Sequence, residues 1–208
     1  MTKAVIAGYA RSPFTPANRG ALARTRPDEF AGQTIKGLIE KVGLNTDDVE
    51  DLIVGCAFPE AEQGFNVGRI LVFLSGLPQT CGGSTINRWC GSSMEAIHIA
   101  AGKIASGVGE VFLCAGVESM TRIPMGGYNP APHPDLYKNH PEVYMSMGLT
   151  AENLAQKYDI SRKEQEEFAL NSHQKALKAD LADEIIPIRT QQGEVKVDGC
   201  PRADTSLE

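Results

Sequence analysis

Residues 84–97 read S-T-I-N-R-W-C-G-S-S-M-E-A-I. A short β-branched run, Ser84 to Asn87, passes through Arg88-Trp89-Cys90 into Gly91-Ser92-Ser93. Met94, Ile97, Ala101 and Ile104 then recur at helical spacing until Gly107. Strand, turn and helix in this order set the fold class, because the flanking sequence repeats it. Lys3–Tyr9 reads as a strand ended by Ser12-Pro13. Pro27-Asp28-Glu29 opens a helix through Phe30, Thr34, Leu38, Ile39 and Val42, which Gly43 stops. Asp51–Phe58 is a buried-strand candidate, Phe65–Leu74 a helix closed by Gly76 and Pro78, and Val111–Val117 a fourth strand. Strands separated by helical segments of about a dozen residues predict parallel crossovers. The expected fold is therefore α/β, a layered and mostly parallel sheet covered by helices, over residues 1–118.

Composition changes after Glu118. Residues 119–149 carry Pro124, Pro130, Pro132, Pro134 and Pro141 with Gly126-Gly127, and are expected to be irregular. A helix is expected from Thr150 and another from Ser161, where Ser161-x-x-Glu164 forms a capping box. Glu184–Ile188 is strand-like, and the last residues bring no terminating element. The formal net charge of −6 disfavours a nucleic-acid or anionic-membrane surface, yet leaves room for a small anion held by local Lys or Arg. No apolar run approaches the roughly 18 residues of a membrane span, and no signal peptide is evident, so the expected compartment is the cytoplasm.

Of the five cysteines, Cys56 and Cys114 lie in apolar strand-like runs and read as core residues. No C-x-x-C pair announces a metal, and reduced thiols are expected. Cys90 could be a buried hydrophobe, half of a disulfide, a metal ligand or a nucleophile. Its place before a helix suits the last of these, although inert cysteines also sit near helix ends. The positive end of a helix macrodipole favours thiolate, and unpaired first-turn amides can hold an oxyanion beside the sulfur. A nucleophile also needs a base. His98 falls roughly 12 Å along the same helix and about 80° around it, out of reach of the thiol. His133, His140 and His173 have no local feature that aims them at Cys90.

The stretch I-N-R-W-C-G-S-S-M-E-A-I-H resembles the acyl-enzyme signature of the thiolases, the acetyl-CoA acetyltransferases and 3-ketoacyl-CoA thiolases. V-I-A-G-Y-A-R-S-P-F at 5–14, G-F-N-V-G-R at 64–69 and A-G-V-E-S-M at 115–120 resemble thiolase segments in the same order. So does M-G-L-T-A-E-N-L-A followed by Y-D-I-S-R-K-E-Q-E-E-F-A-L-N-S-H-Q-K-A. The resemblance implies that Cys90 is the acyl-carrying catalytic residue and that Met147 lines the tunnel for the pantetheine arm, a substrate-binding role. It implies coenzyme A and acyl-CoA thioesters as substrates, no metal or other cofactor, and a homodimer or homotetramer that engages neither nucleic acid nor membrane.

It also implies an inserted loop domain over residues 119–208. Thiolases run to about twice this length, with a second α/β domain that carries an activating histidine, an asparagine and a second cysteine. No counterpart occurs here. The chain is thus expected to be the N-terminal part of an acyltransferase, inactive by itself. The alternative is a truncated fragment that at most binds acyl-CoA or a partner subunit. Ser146, where many biosynthetic thiolases have histidine, and G-S-S-M lean toward the degradative 3-ketoacyl-CoA branch of fatty acid metabolism.

Overall fold

The computed structural model describes residues 3–207; residues 1, 2 and 208, the outer ends of the two expected domains, lie outside it. The chain forms two compact units. One comprises the residues up to Tyr128 together with Leu181–Cys200; the other comprises Asn129–Asp180 and the residues from Pro201 onward.

The first unit is built on three parallel strands, β1 (Asp51–Gly55), β2 (Gly82–Ile86) and β3 (Phe112–Gly116), in the order β2-β1-β3. Helices α1 (Pro27–Val42), α2 (Val67–Leu74) and α3 (Ser92–Ala105) complete it. Side chains alternate across the sheet as the pleat demands. Leu52, Val54 and Cys56 of β1 and its extension face a cluster with Ala31, Ile35 and Ile39 of α1 and Val67, Leu71 and Val72 of α2. Ile53 faces the other way, onto Ala96 and Ala100 of α3. Both faces are therefore covered, which explains why β1 is apolar along nearly its whole length.

Local signals set the helix ends. Pro27 occupies the first turn of α1 beside Asp28 and Glu29. Gly43, at φ +63°, closes it with a Schellman motif, in which the Gly43 N–H donates to the Glu40 carbonyl and the Leu44 N–H to the Ile39 carbonyl. Helix α2 starts from Asn66, whose amide donates to the Gly83 carbonyl (2.9 Å) while its oxygen accepts from the Thr85 hydroxyl (2.8 Å). Gly68 and Gly83 let this helix approach β2 closely. A Cβ at 83 would lie 2.6 Å from Arg69 Cα, and one at 68 would collide with the Ser84 carbonyl oxygen.

Two expectations are corrected. Lys3–Ala10 joins no strand, and Val5, Ile6 and Tyr9 are largely exposed. Apolar alternation needs a sheet neighbour to become a strand, and the sheet β2-β1-β3 includes no partner for this segment. Arg11 alone makes an isolated parallel bridge, to Ile185. The strand expected at 184–188 instead begins at Ile188: β4 (Ile188–Thr190) pairs antiparallel with β5 (Gly193–Val195).

Arg11 fastens this returning segment. Its guanidinium bonds Glu184 (2.5 Å) and both carboxylate oxygens of Asp198 (2.8 Å each), and Asp198 also accepts from the Phe14 N–H (2.8 Å). The Arg11 hydrogen bond, opposed by partial burial, holds the Asp198 carboxyl below its usual range.

In the second unit, α4 (Pro134–Asn139) interrupts the stretch expected to be irregular, with Pro134 at its first position and Asp135 in its first turn. Helix α5 (Met147–Lys157) begins before Thr150 because Ser146 caps it, accepting from the Leu149 N–H. Helix α6 (Arg162–Lys178) opens with the capping box read from the sequence. Ser161 accepts from the Glu164 N–H, and the Glu164 carboxylate accepts from the Ser161 N–H. The Ser161 hydroxyl donates to the same carboxylate (2.8 Å), and this bond, with that from the Ser161 N–H, holds the Glu164 carboxyl below its usual range.

Asp198 gives a pH-dependent test. A depressed folded-state pKa means the stabilisation is complete above the unfolded carboxylate value of about 3.9 and is lost as pH falls through the folded value. Asp198→Asn is expected to lower the unfolding free energy at pH 7 by about 1–3 kcal/mol. The gap to the parent should close at the acid end of a series of urea melts; a gap of constant size across the series would contradict the assignment.

Candidate active site

The strand-to-helix turn after β2 is held by its own side chains. Asn87 accepts the Trp89 N–H through Oδ1 (2.9 Å) and donates from Nδ2 to the Ala57 carbonyl (2.9 Å). Ser92 Oγ donates to the Trp89 carbonyl (2.6 Å) and accepts from the Arg88 N–H (2.8 Å), while the Ser92 N–H also donates to the Trp89 carbonyl (3.0 Å). Between these anchors Trp89 takes φ +48°, the left-handed region, which bulky residues seldom enter. Its ring packs edge-on against Phe58, with centroids 5.2 Å apart. Cys90 follows, exposed and free.

Gly91 is the N-cap of α3 and provides no side-chain cap. The Ser92 N–H bonds the Trp89 carbonyl, so only the amides after it in the first turn remain for an anion beside Cys90. The turn lies over the carboxyl ends of β1 and β3, where Gly55 pairs with Gly116. A Cβ at 55 would collide with the Ser93 nitrogen and the Ser92 carbonyl carbon, and one at 116 with the Ser93 hydroxyl.

Beneath the turn lies a buried polar group. Gln63, with no exposed surface, donates to the Phe58 carbonyl (2.9 Å), to Glu118 (2.6 Å) and to Cys56 Sγ (3.3 Å), and accepts the Ser119 N–H (2.8 Å). The other oxygen of Glu118 accepts the Ala57 N–H (2.8 Å). Sequence reading places Glu118 within A-G-V-E-S-M but assigns it no role, and it misses Gln63 and Asn87. The signal available is a Gln and a Glu placed just beyond two apolar strands.

The other cysteines have different surroundings. Burial pushes the Cys56 thiol up to about 11, with the Glu118 charge adding to it. Burial, reinforced by Asp51, also raises Cys81 and Cys114. Such thiols are poor sources of thiolate. Cys200 is exposed, just after the β4–β5 hairpin.

Of the histidines, His98 belongs to the same unit as Cys90, on α3. Its ring is mostly exposed and lies 3.9 Å from the Glu95 carboxylate. In the second unit His140 contacts Glu142 (3.3 Å), His173 Nδ1 accepts the Arg202 N–H (3.2 Å), and the His133 N–H donates to the Tyr144 hydroxyl (3.0 Å). Met147 is the first residue of α5 and is exposed. Among the described residues no cluster of three or more His, Cys, Asp or Glu could hold a metal ion, and no helix is long and apolar enough to cross a membrane.

A cysteine at a strand-to-helix turn above a parallel sheet marks a layered α/β protein with an exposed thiol at the carboxyl edge of its strands. The family described as thiolase, N-terminal domain, matches residues 4–208, and the chain belongs to it. It is 42% identical over 97% of its length to a 3-ketoacyl-CoA thiolase of Bacillus subtilis and 43% identical over 88% to one of Colwellia psychrerythraea. It spans 52% and 47% of those two proteins, about half of each. Among solved structures, an acetyl-CoA acetyltransferase of Bacillus anthracis superposes with a TM-score of 0.82 at 33% identity, over 99% of this chain and 57% of that one.

The glycine pair yields a graded prediction. Gly55→Ala meets backbone and should destabilise by about 1–3 kcal/mol, whereas Gly116→Ala meets a hydroxyl that can rotate away and should cost less. Thermal melts of the two variants check the order; the reverse order would contradict this seating of α3.

Proposed function

We propose that this chain is the nucleophile-bearing part of an acyl-CoA acyltransferase, in which Cys90 carries the acyl group as a thioester. The observation that carries the reading is the position of Cys90. It is exposed after a clamped left-handed residue and before an uncapped helix, in a member of the thiolase family.

In the degradative direction the Cys90 thiolate attacks the 3-keto carbon of a 3-ketoacyl-CoA. The resulting tetrahedral oxyanion collapses and the bond between C2 and C3 breaks, with its electron pair leaving on C2. Protonation of that carbanion gives acetyl-CoA. The thiolate of free CoA then attacks acyl-Cys90, releasing a shortened acyl-CoA and regenerating the thiolate. In the synthetic direction the same thioester accepts the carbanion of acetyl-CoA. Splitting the reaction in two replaces one difficult step by two easier ones.

Thiolysis is the favoured direction, supported by the names of the Bacillus and Colwellia relatives. Ser146 also has a local task here, as the cap of α5. The base that activates Cys90 and the acid that protonates the carbanion would come from outside the unit that holds it, since His98 lies about two turns along α3 from Cys90 with its ring mostly exposed. Residues 1–118 would form the N-terminal α/β domain, 119–208 the loop domain with Met147 beside the pantetheine arm, and a further α/β domain would complete the enzyme. No metal or other cofactor takes part. The protein would work in the cytoplasm as a homodimer or homotetramer, for which the exposed Val5, Ile6, Phe65 and Met94 of the first unit offer apolar surface.

Steady-state thiolysis by the full-length protein tests the assignment. Cys90→Ala should lower kcat by at least about a thousandfold, the scale expected when a covalent nucleophile is lost. Cys114→Ala should stay within about tenfold of the parent, since its cost is packing. A Cys90→Ala enzyme that retains most of its turnover would overturn the proposal.

A further inference from the structure

We infer that Asn87 is a positioning residue for the nucleophile, and that it acts through a relay from the buried Gln63–Glu118 pair to the backbone at Trp89. The inference rests on the acyl-transfer reading of Cys90 and adds to it a cause for the geometry of the turn.

A bulky side chain at φ +48° is strained and persists only where the surroundings over-determine it. At Trp89 two side chains do so. Ser92 holds the carbonyl from within α3, and Asn87 holds the N–H from the strand side. Asn87 can serve only if it is itself fixed, and its side chain is tethered across the fold by the Ala57 carbonyl at 2.9 Å.

Ala57 lies beyond the end of β1 and is fixed in turn. Its N–H donates to Glu118 Oε2 (2.8 Å), whose Oε1 accepts from the fully buried Gln63 (2.6 Å). Gln63 also receives the Ser119 N–H and donates to the Phe58 carbonyl. Phe58 then contributes a second support, because its ring is the one on which Trp89 packs. The ends of β1, β2 and β3 are thus tied together by Ala57, Asn87 and Glu118 at the point where the chain must turn to present Cys90. Asn suits the task because one amide donates to Ala57 and accepts from Trp89, which neither Asp nor Ser can do with the same two atoms.

The test uses the full-length protein. Acyl transfer and the Cys90 thioester are first measured in the parent; if the parent forms no thioester there, the acyl-transfer reading falls and this inference with it. In a parent that does acylate, Asn87→Ala is expected to lower kcat about ten- to a hundredfold, with KM for acyl-CoA within about twofold and the melting curve unchanged. In a Trp89→Gly background the same substitution should cost less than about threefold, because glycine holds a positive φ without strain.

Asn87→Asp keeps the acceptor for the Trp89 N–H but sets an oxygen against the Ala57 carbonyl. It should show an intermediate loss, and it carries the test if the alanine variant does not fold. Equal losses in the parent and Trp89→Gly backgrounds, a loss that tracks a falling melting temperature, or a kcat unchanged in both Asn87 variants would overturn the inference while leaving the role of Cys90 intact.

Discussion

The first turn of α3 sits on bare backbone. Gly55 and Gly116 pair across β1 and β3 where a Cβ on either would collide with Ser92 or Ser93. This close approach fixes how far the helix can slide along the sheet, and so where the residue before its cap lies. Everything about Cys90 depends on it. A helix lifted by the thickness of a methyl group would carry its amides away from the turn, and the Ser92 bonds to Arg88 and Trp89 would lengthen with it. Glycine loses conformational entropy in a strand, a cost of about 0.5–1 kcal/mol relative to alanine. Here that cost accompanies a seat for the helix.

Much of this fold was legible in the sequence, and the reasons can be named. β1 and β3 announce themselves as apolar runs and β2 as a short β-branched run between helical segments, and the end of α1 at Gly43 and the start of α6 at Ser161 follow from cap chemistry that acts within a few residues. Where the deciding partner is distant the reading fails. Val5 and Ile6 have strand-like neighbours, but strand formation depends on hydrogen bonding to a sheet edge, and this segment pairs with neither β2 nor β3. The strand near Ile188 is displaced by the hairpin at Gly193, whose φ of +124° only glycine adopts readily.

The candidate site shows the same division. Its strand, turn and helix were visible locally, and the order of motifs along the chain pointed to the thiolases, which the family match bears out. The strain at Trp89 was not visible, because a tryptophan gives no sign of a left-handed backbone. Nor was the network of Gln63, Glu118, Ala57 and Asn87, which joins residues far apart in sequence through bonds that only the folded sheet brings together. Cysteine placement separates roles more simply. Cys56, Cys81 and Cys114 are raised by burial, whereas Cys90 is presented to solvent.

On this reading the turn after β2 presents one thiol, that of Cys90, for acylation. The most direct measurement mixes the full-length protein with acetyl-CoA, quenches in acid within the first turnovers, and maps the modified peptide by mass spectrometry. A single acetyl group is expected on Cys90, removed when free coenzyme A is added before the quench. An acetyl group on Cys81, Cys114 or Cys200 in place of Cys90, or one that free coenzyme A leaves untouched, would contradict it.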